Sequence, residues 1–88
     1  MLRADVIREL AGARPLVNLA YLEQGRTAWV WEVRRCVSCA LRHIHGGGLL
    51  SEDPRRSLGP RSAHCCSGYE IIDGDSRRTL ALMHASRN

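Results

Sequence analysis

The chain has no lysine and no phenylalanine, and aromatic residues make up only 5% of its 88 positions. Its whole aromatic payload is Trp29, Trp31, Tyr21 and Tyr69. That suffices for one thin core and leaves no material for a roomy catalytic pocket. All 13 basic residues are arginine. Lysine and phenylalanine codons are AT-rich, so the double absence fits a GC-rich genome better than a demand for guanidinium groups. No run approaches the roughly 18–20 apolar residues that span a bilayer. Arg3, Asp5, Arg8 and Glu9 interrupt the first turns, so the apolar core of a secretion signal is missing as well. The expected location is cytoplasmic, where thiols stay reduced and clustered cysteines favour metal over disulfide. In an oxidising compartment the four cysteines would allow two disulfides, an arrangement that adjacent Cys65 and Cys66 make awkward.

What is present is one small domain. Leu2, Val6 and Leu10 recur at helical spacing beside Ile7, predicting an amphipathic helix over 2–12, ended by Gly12 and Pro15. Residues 16–35 read as a tryptophan hairpin, with strands 16–22 and 27–35 around Glu23-Gln24-Gly25. That loop would pair Leu19 with Trp29 and Val17 with Trp31. Both tryptophans, Val33 and Tyr21 would then share one apolar face, forming core rather than a base-stacking platform. A short strand over 40–45 follows, broken at Gly46-Gly47-Gly48, and 46–60 is loop-like. Return strands are expected at 61–65 and 69–72. Asp73-Gly74-Asp75 turns the chain, and Asp75 or Ser76 caps a helix over 75–84, although alternation at 79–84 also permits a strand. The expected fold class is small, mainly β (α+β): a zinc-ribbon-like antiparallel sheet with short terminal helices. There is no internal repeat and no second domain.

Residues 36–72 contain the chemistry. Cys36-Val37-Ser38-Cys39 is a two-residue-spaced cysteine pair able to hold one metal ion with both sulfurs. His43, His45, His64, Cys65 and Cys66 follow within 30 residues. A structural zinc needs four sulfur or nitrogen ligands, some from a distant segment, so that binding closes a loop and contributes to folding. Pairing of strand 40–45 with 61–66 would place Cys65 opposite Leu41, between Cys39 and His43. The preferred ligand set is therefore Cys36, Cys39, His43 and Cys65, with His45 replacing His43 or His64 replacing Cys65 as alternates. Cys66, crowded by its neighbour, and His84, near the chain end, rank last. Zinc is the expected cofactor.

Three catalytic readings compete with this one. A zinc deaminase places glutamate two residues after a ligand histidine, and His43-Ile44-His45 has histidine there. A redox pair belongs at a helix N-terminus after a parallel strand, whereas this pair sits at an expected hairpin tip. A histidine-dependent nuclease would need a strand–helix module with supporting Asn or Asp. The expectation is a non-enzymatic module.

The motifs Trp29-Val30-Trp31-Glu32-Val33, Cys36-x-x-Cys39-x-x-x-His43-x-His45-Gly46, Arg61-x-x-His64-Cys65 and Gly68-Tyr69-x-Ile71 resemble a group of small proteins of actinobacteria and their phages or mobile elements. That group is described as zinc-finger-like, and the likeness spans roughly 28–72. Val37 replaces the group's usual proline, Ala40 its glycine and Pro60 its histidine, while Cys66 is additional. Ala40 matters most, because glycine after the second cysteine eases the knuckle amides toward the sulfurs. The resemblance implies a zinc site, but His45 and His64 belong to its motifs as much as His43 and Cys65 do, so it does not choose the ligand set.

The net charge of +4 permits an anionic partner. Nucleic acid is the preferred class, through Arg34, Arg35, Arg42, Arg55, Arg56 and Arg61. The competing reading is solvent exposure with ion pairs to Glu32, Glu52 and Asp53. A protein-interaction adaptor, for instance a host-modulating factor of a mobile element, is the alternative function. A metal-dependent nuclease ranks third.

Overall fold

The computed structural model describes residues 16–63 and 65–86. The helix expected over 2–12 and the candidate ligand His64 lie outside the described residues. Five strands form one mixed sheet: β1 (Val17–Gln24), β2 (Ala28–Val33), β3 (His43–Leu49), β4 (Gly59–Ala63) and β5 (Cys66–Asp73). A 3-10 turn, Pro54–Ser57, precedes β4, and helix α1, Ser76–Ser86, ends the described chain. The mainly-β class with a short helix is thus observed. None of the described helices is long and apolar enough to cross a membrane.

Strand order is β3-β2-β1-β5-β4. All neighbours are antiparallel except β1 and β5, which run parallel. The sheet curls about its apolar face, so its two edge strands approach one another: Arg61 Nη2 on β4 donates to the Gly46 carbonyl on β3 at 3.4 Å. Trp29, Trp31 and Val33 of β2, Ala20 and Leu22 of β1, and Tyr69 and Ile71 of β5 fill the inside. Thr79 and Met83 of α1 are buried with them. Full burial of a side chain such as Leu22 stabilises by about 1.5–3 kcal/mol. Trp31 is core, as expected, and its Nε1 donates to the Pro54 carbonyl at 2.9 Å, anchoring the 3-10 turn.

The hairpin register differs from the expected one. Leu22 pairs with Trp31 and Gln24 with Trp29, because β1 runs on to Gln24 and the turn falls at Gly25-Arg26-Thr27. The Gly25 amide donates to the Ala28 carbonyl at 2.9 Å to close it. An odd shift in register exchanges the faces of a strand. Asn18, Ala20 and Leu22 therefore point inward, while Val17 and Leu19 face outward at 42% and 51% exposure. Tyr21 is outward too, capped by the Arg34 guanidinium 3.8 Å from its ring centroid.

Two further expectations are corrected. Gly46-Gly47-Gly48 does not end a strand; β3 continues through it to Leu49. A Cβ at Gly47 would lie 2.9 Å from Trp29 Cβ and 3.0 Å from its carbonyl carbon and oxygen, so only glycine lets β3 pass over the tryptophan. The register shift between Ala28 and Val30, together with Gly48 at φ +89°, absorbs the kink. Nor do residues 40–45 pair with 61–66. β3 pairs with β2, β4 pairs with β5, and the two edge strands meet only through the curl. The last helix is as expected, with Asp75 at its N-cap: Asp75 Oδ1 accepts from the Arg78 amide at 3.1 Å.

Candidate metal centre

The knuckle is the connection between β2 and β3. β2 ends at Val33, Arg34 and Arg35 swing outward, and Cys36 turns back into the core at 2% exposure. Ala40 N donates to the Cys36 carbonyl at 2.8 Å, and Cys36 N donates to the Leu41 carbonyl at 2.9 Å. This tight circle presents Cys36 and Cys39 on one side and starts β3 at His43. Ala40 adopts φ +64°, the left-handed conformation that suits glycine. The Ser38 amide points at Cys36 Sγ from 3.3 Å. Cys65 arrives from the turn between β4 and β5.

Cys36, Cys39, His43 and Cys65 come together, with their ligand atoms all within 4.8 Å of one another. Cys36 Sγ and Cys65 Sγ are 3.8 Å apart. A tetrahedron with metal–sulfur bonds of about 2.3 Å has an edge of about 3.8 Å, so this pair already stands at coordination distance. Cys39 Sγ and His43 Nε2, at 3.1 Å, need only move apart slightly. The donor set fits a thiophilic ion such as zinc and is wrong for magnesium or calcium, which take oxygen ligands. This is the preferred set expected from the spacing. It was reached through the curl of the sheet rather than through the pairing that had been expected to deliver Cys65.

One supporting residue was missed. Asn18 on β1 is 1% exposed, a buried amide among apolar neighbours. Its Oδ1 accepts from the Val37 amide at 2.8 Å, and its Nδ2 points at Cys36 Sγ from 3.5 Å. Asn18 therefore fixes the knuckle backbone and donates toward a ligand sulfur, a role typical of groups behind a metal shell. The expected register had placed Asn18 on the outer face. The observed one carries it beside Cys36, and a polar residue on an inward face was the available signal.

Electrostatics follow these donors. Burial opposes ionisation of Cys36, but the amides of Cys39 and Ser38, the Asn18 carboxamide and the Cys65 thiol outweigh it and bring the thiol down to about 6. Burial and the surrounding thiols push Cys65 up to about 12. Without a metal, the charge of the cluster thus concentrates on Cys36. A divalent cation removes that asymmetry by taking all three sulfurs as thiolates.

The alternates are placed differently. His45 shares the inner face of β3 with His43, but its Nε2 is hydrogen-bonded to the Tyr69 hydroxyl at 2.5 Å. Burial, then the charge of Arg61, lowers its pKa. Tyr69 is held up to about 12 by burial and by the nearby thiols. His84 lies on the exposed side of α1, far along the chain from the knuckle. Cys66 Sγ is 3.8 Å from Cys65 Sγ but outside the four-donor group.

Four of the six expected nucleic-acid arginines have partners within the chain. Arg34 and Arg42 both pair with Glu32, Arg34 at 3.5 Å. Arg55 pairs with Asp53 at 2.6 Å and, by side-chain and backbone hydrogen bonds, draws the Asp53 carboxyl down to about 2. Arg61 donates to the Ser57 and Gly46 carbonyls. Glu52, an expected ion-pair partner, instead accepts from the Leu49 amide at 2.7 Å. Arg35 and Arg56 are exposed and make no ion pair among the described residues. No protein-family model, curated protein or solved structure matches this chain.

Proposed function

We propose that the chain is a small zinc-binding module in which one zinc ion, held by Cys36, Cys39, His43 and Cys65, is structural. The carrying observation is the convergence of four soft donors from the knuckle, β3 and the β4–β5 turn. Four protein ligands fill a tetrahedral shell and leave no position for substrate, which favours a staple over a catalyst. The zinc would tie the β3 edge to the β4–β5 turn, supplying stability that an 88-residue chain with a thin core lacks. The likeness to zinc-finger-like proteins supports the same assignment.

Within this proposal the module binds nucleic acid through its exposed arginines. Arg35 and Arg56 are the first candidates, and Arg34, Arg42 and Arg55 can exchange carboxylate for phosphate. A protein-interaction adaptor is the second reading, favoured by Val37, Leu41 and Ile44, which stand 61%, 66% and 46% exposed around the knuckle.

Metal analysis of protein purified without chelators tests the first claim. About one zinc per chain is expected, lost in Cys36→Ser and Cys65→Ser together with the fold. A zinc-free wild-type chain with free or disulfide-paired thiols overturns it. A nucleic-acid titration across salt tests the second: phosphate binding weakens steeply as salt rises. No binding at low salt, alongside salt-insensitive capture of a protein partner, would assign the adaptor reading.

A further inference from the structure

Three of the four thiols belong to the shell, and Cys66 is left over. It is half-buried at the start of β5, with its sulfur 3.5 Å from the Gly68 carbonyl and 3.8 Å from Cys65 Sγ. Cys65 is in turn 3.8 Å from Cys36 Sγ. Cys65, a half-buried ligand, thus stands between a fellow ligand and a spare thiol. Cys36, by contrast, is buried and held by the Asn18 and Ser38 donors.

We propose that Cys66 makes the metal centre oxidation-sensitive: a hydroperoxide joins it to Cys65 as a disulfide, withdrawing one ligand and releasing the metal. The inference rests on the zinc reading above. In the first step the Cys66 thiolate, formed by loss of its proton to solvent, attacks hydrogen peroxide. An S–O bond forms, the O–O bond breaks, and the departing hydroxide takes a proton to become water, leaving Cys66 as sulfenic acid. In the second step the Cys65 sulfur attacks the Cys66 sulfur. The electron pair that held the metal passes into the S–S bond, the S–O bond breaks, and hydroxide again leaves as water. The two sulfurs give up two electrons, and one peroxide becomes two waters. A thiol reductant reverses the change by exchange and returns Cys65 to the shell.

Metal-bound thiolates are shielded from oxidants by having their lone pairs engaged, so a free neighbour provides the entry point. In the folded chain the Cys66 sulfur stands 3.8 Å from Cys65, within reach of attack, and the ring that this bond closes between adjacent residues is strained and so readily reduced, which suits a reversible change.

The test treats the zinc-loaded full chain with a few equivalents of hydrogen peroxide. Zinc release is followed with a chromogenic chelator, and the disulfide is mapped by mass spectrometry. Wild-type protein should release zinc with a Cys65–Cys66 disulfide, and a thiol reductant plus zinc should restore the metal. Cys66→Ser should hold the same zinc at rest and release it at least about tenfold more slowly. Equal release from Cys66→Ser, or a mapped disulfide that omits Cys66, overturns the inference while leaving the zinc site standing. Wild-type protein without zinc at rest overturns both. The mapping on wild-type protein decides the matter even if the serine variant fails to fold.

Discussion

Replacing Asn18 by alanine removes both bonds that tie β1 to the knuckle. Each intramolecular hydrogen bond contributes about 0.5–1.5 kcal/mol net, and a buried amide left without a partner costs about 1–3 kcal/mol. The Val37 amide would be such a group, since its acceptor is the Asn18 carboxamide. The expected loss for the metal-loaded protein is therefore on the order of 2–4 kcal/mol. Part of it appears as weaker metal binding, because the knuckle no longer arrives preformed and Cys36 loses a donor. Supporting groups of this kind typically change metal affinity about 10–100-fold. Competition against a chelator of known zinc affinity measures that term, and thermal unfolding measures the total. Leu22→Val serves as the comparison: it removes one methylene from a fully buried site at the far end of β1 and costs about 1 kcal/mol without touching the knuckle. Its zinc competition should match wild type. Asn18→Ala with zinc affinity within about twofold of wild type would refute the assignment, because the full range expected for such groups lies above that.

Ala40→Gly should stabilise the protein. The left-handed conformation at φ +64° costs an alanine about 1–2 kcal/mol, and glycine returns part of that gain through its freer unfolded chain. A net gain of about 0.5–1 kcal/mol is expected in denaturant unfolding of the zinc-loaded form; a loss would show that the methyl group packs usefully. Gly47→Ala should destabilise by about 1–3 kcal/mol, since the new Cβ meets Trp29 Cβ at 2.9 Å and β3 must lift from β2. Unfolding by urea with tryptophan fluorescence reports both the loss and the altered Trp29 environment, and an unchanged midpoint would contradict the close approach.

Much of the fold was legible where a residue pattern admitted one reading. Trp29, Trp31 and Val33 alternate with Val30 and Glu32, and no other large side chains exist to make a core. Their inward face was thus fixed by elimination. β1 lacks that clarity: Val17, Leu19 and Tyr21 form one apolar face, Ala20 and Leu22 much of the other. Asn18 argues against the second face until its partners in the knuckle are known. Turn geometry then decided the register, and moving the turn from Glu23-Gln24-Gly25 to Gly25-Arg26-Thr27 exchanged the two faces. The parallel pairing of β1 with β5 joins segments some fifty residues apart, a relation that local periodicity does not encode.

The candidate ligands were more legible than the sheet that assembles them. Cys36, Cys39 and His43 lie within eight consecutive positions, so local geometry suffices to gather three donors. Cys65 had to come from elsewhere, and only its chemical type and the hairpin around it pointed to its role. In the folded chain it reaches the knuckle because β3 and β4, at opposite edges of the sheet, are brought face to face by curling. The ties across that gap are side-chain ones: Arg61 of β4 to the Gly46 carbonyl, the ligand cluster itself and, one strand further in, His45 to Tyr69 of β5. A bond between two edges that share no backbone ladder needs something directional and strong, and single hydrogen bonds, those of the half-buried Arg61 included, are directional but weak. A four-coordinate metal is both. The second histidine then belongs to the same closure as the first, since His43 Nε2 stands in the donor cluster 3.1 Å from Cys39 Sγ while His45, two residues on and on the same face, is hydrogen-bonded to the Tyr69 hydroxyl at 2.5 Å.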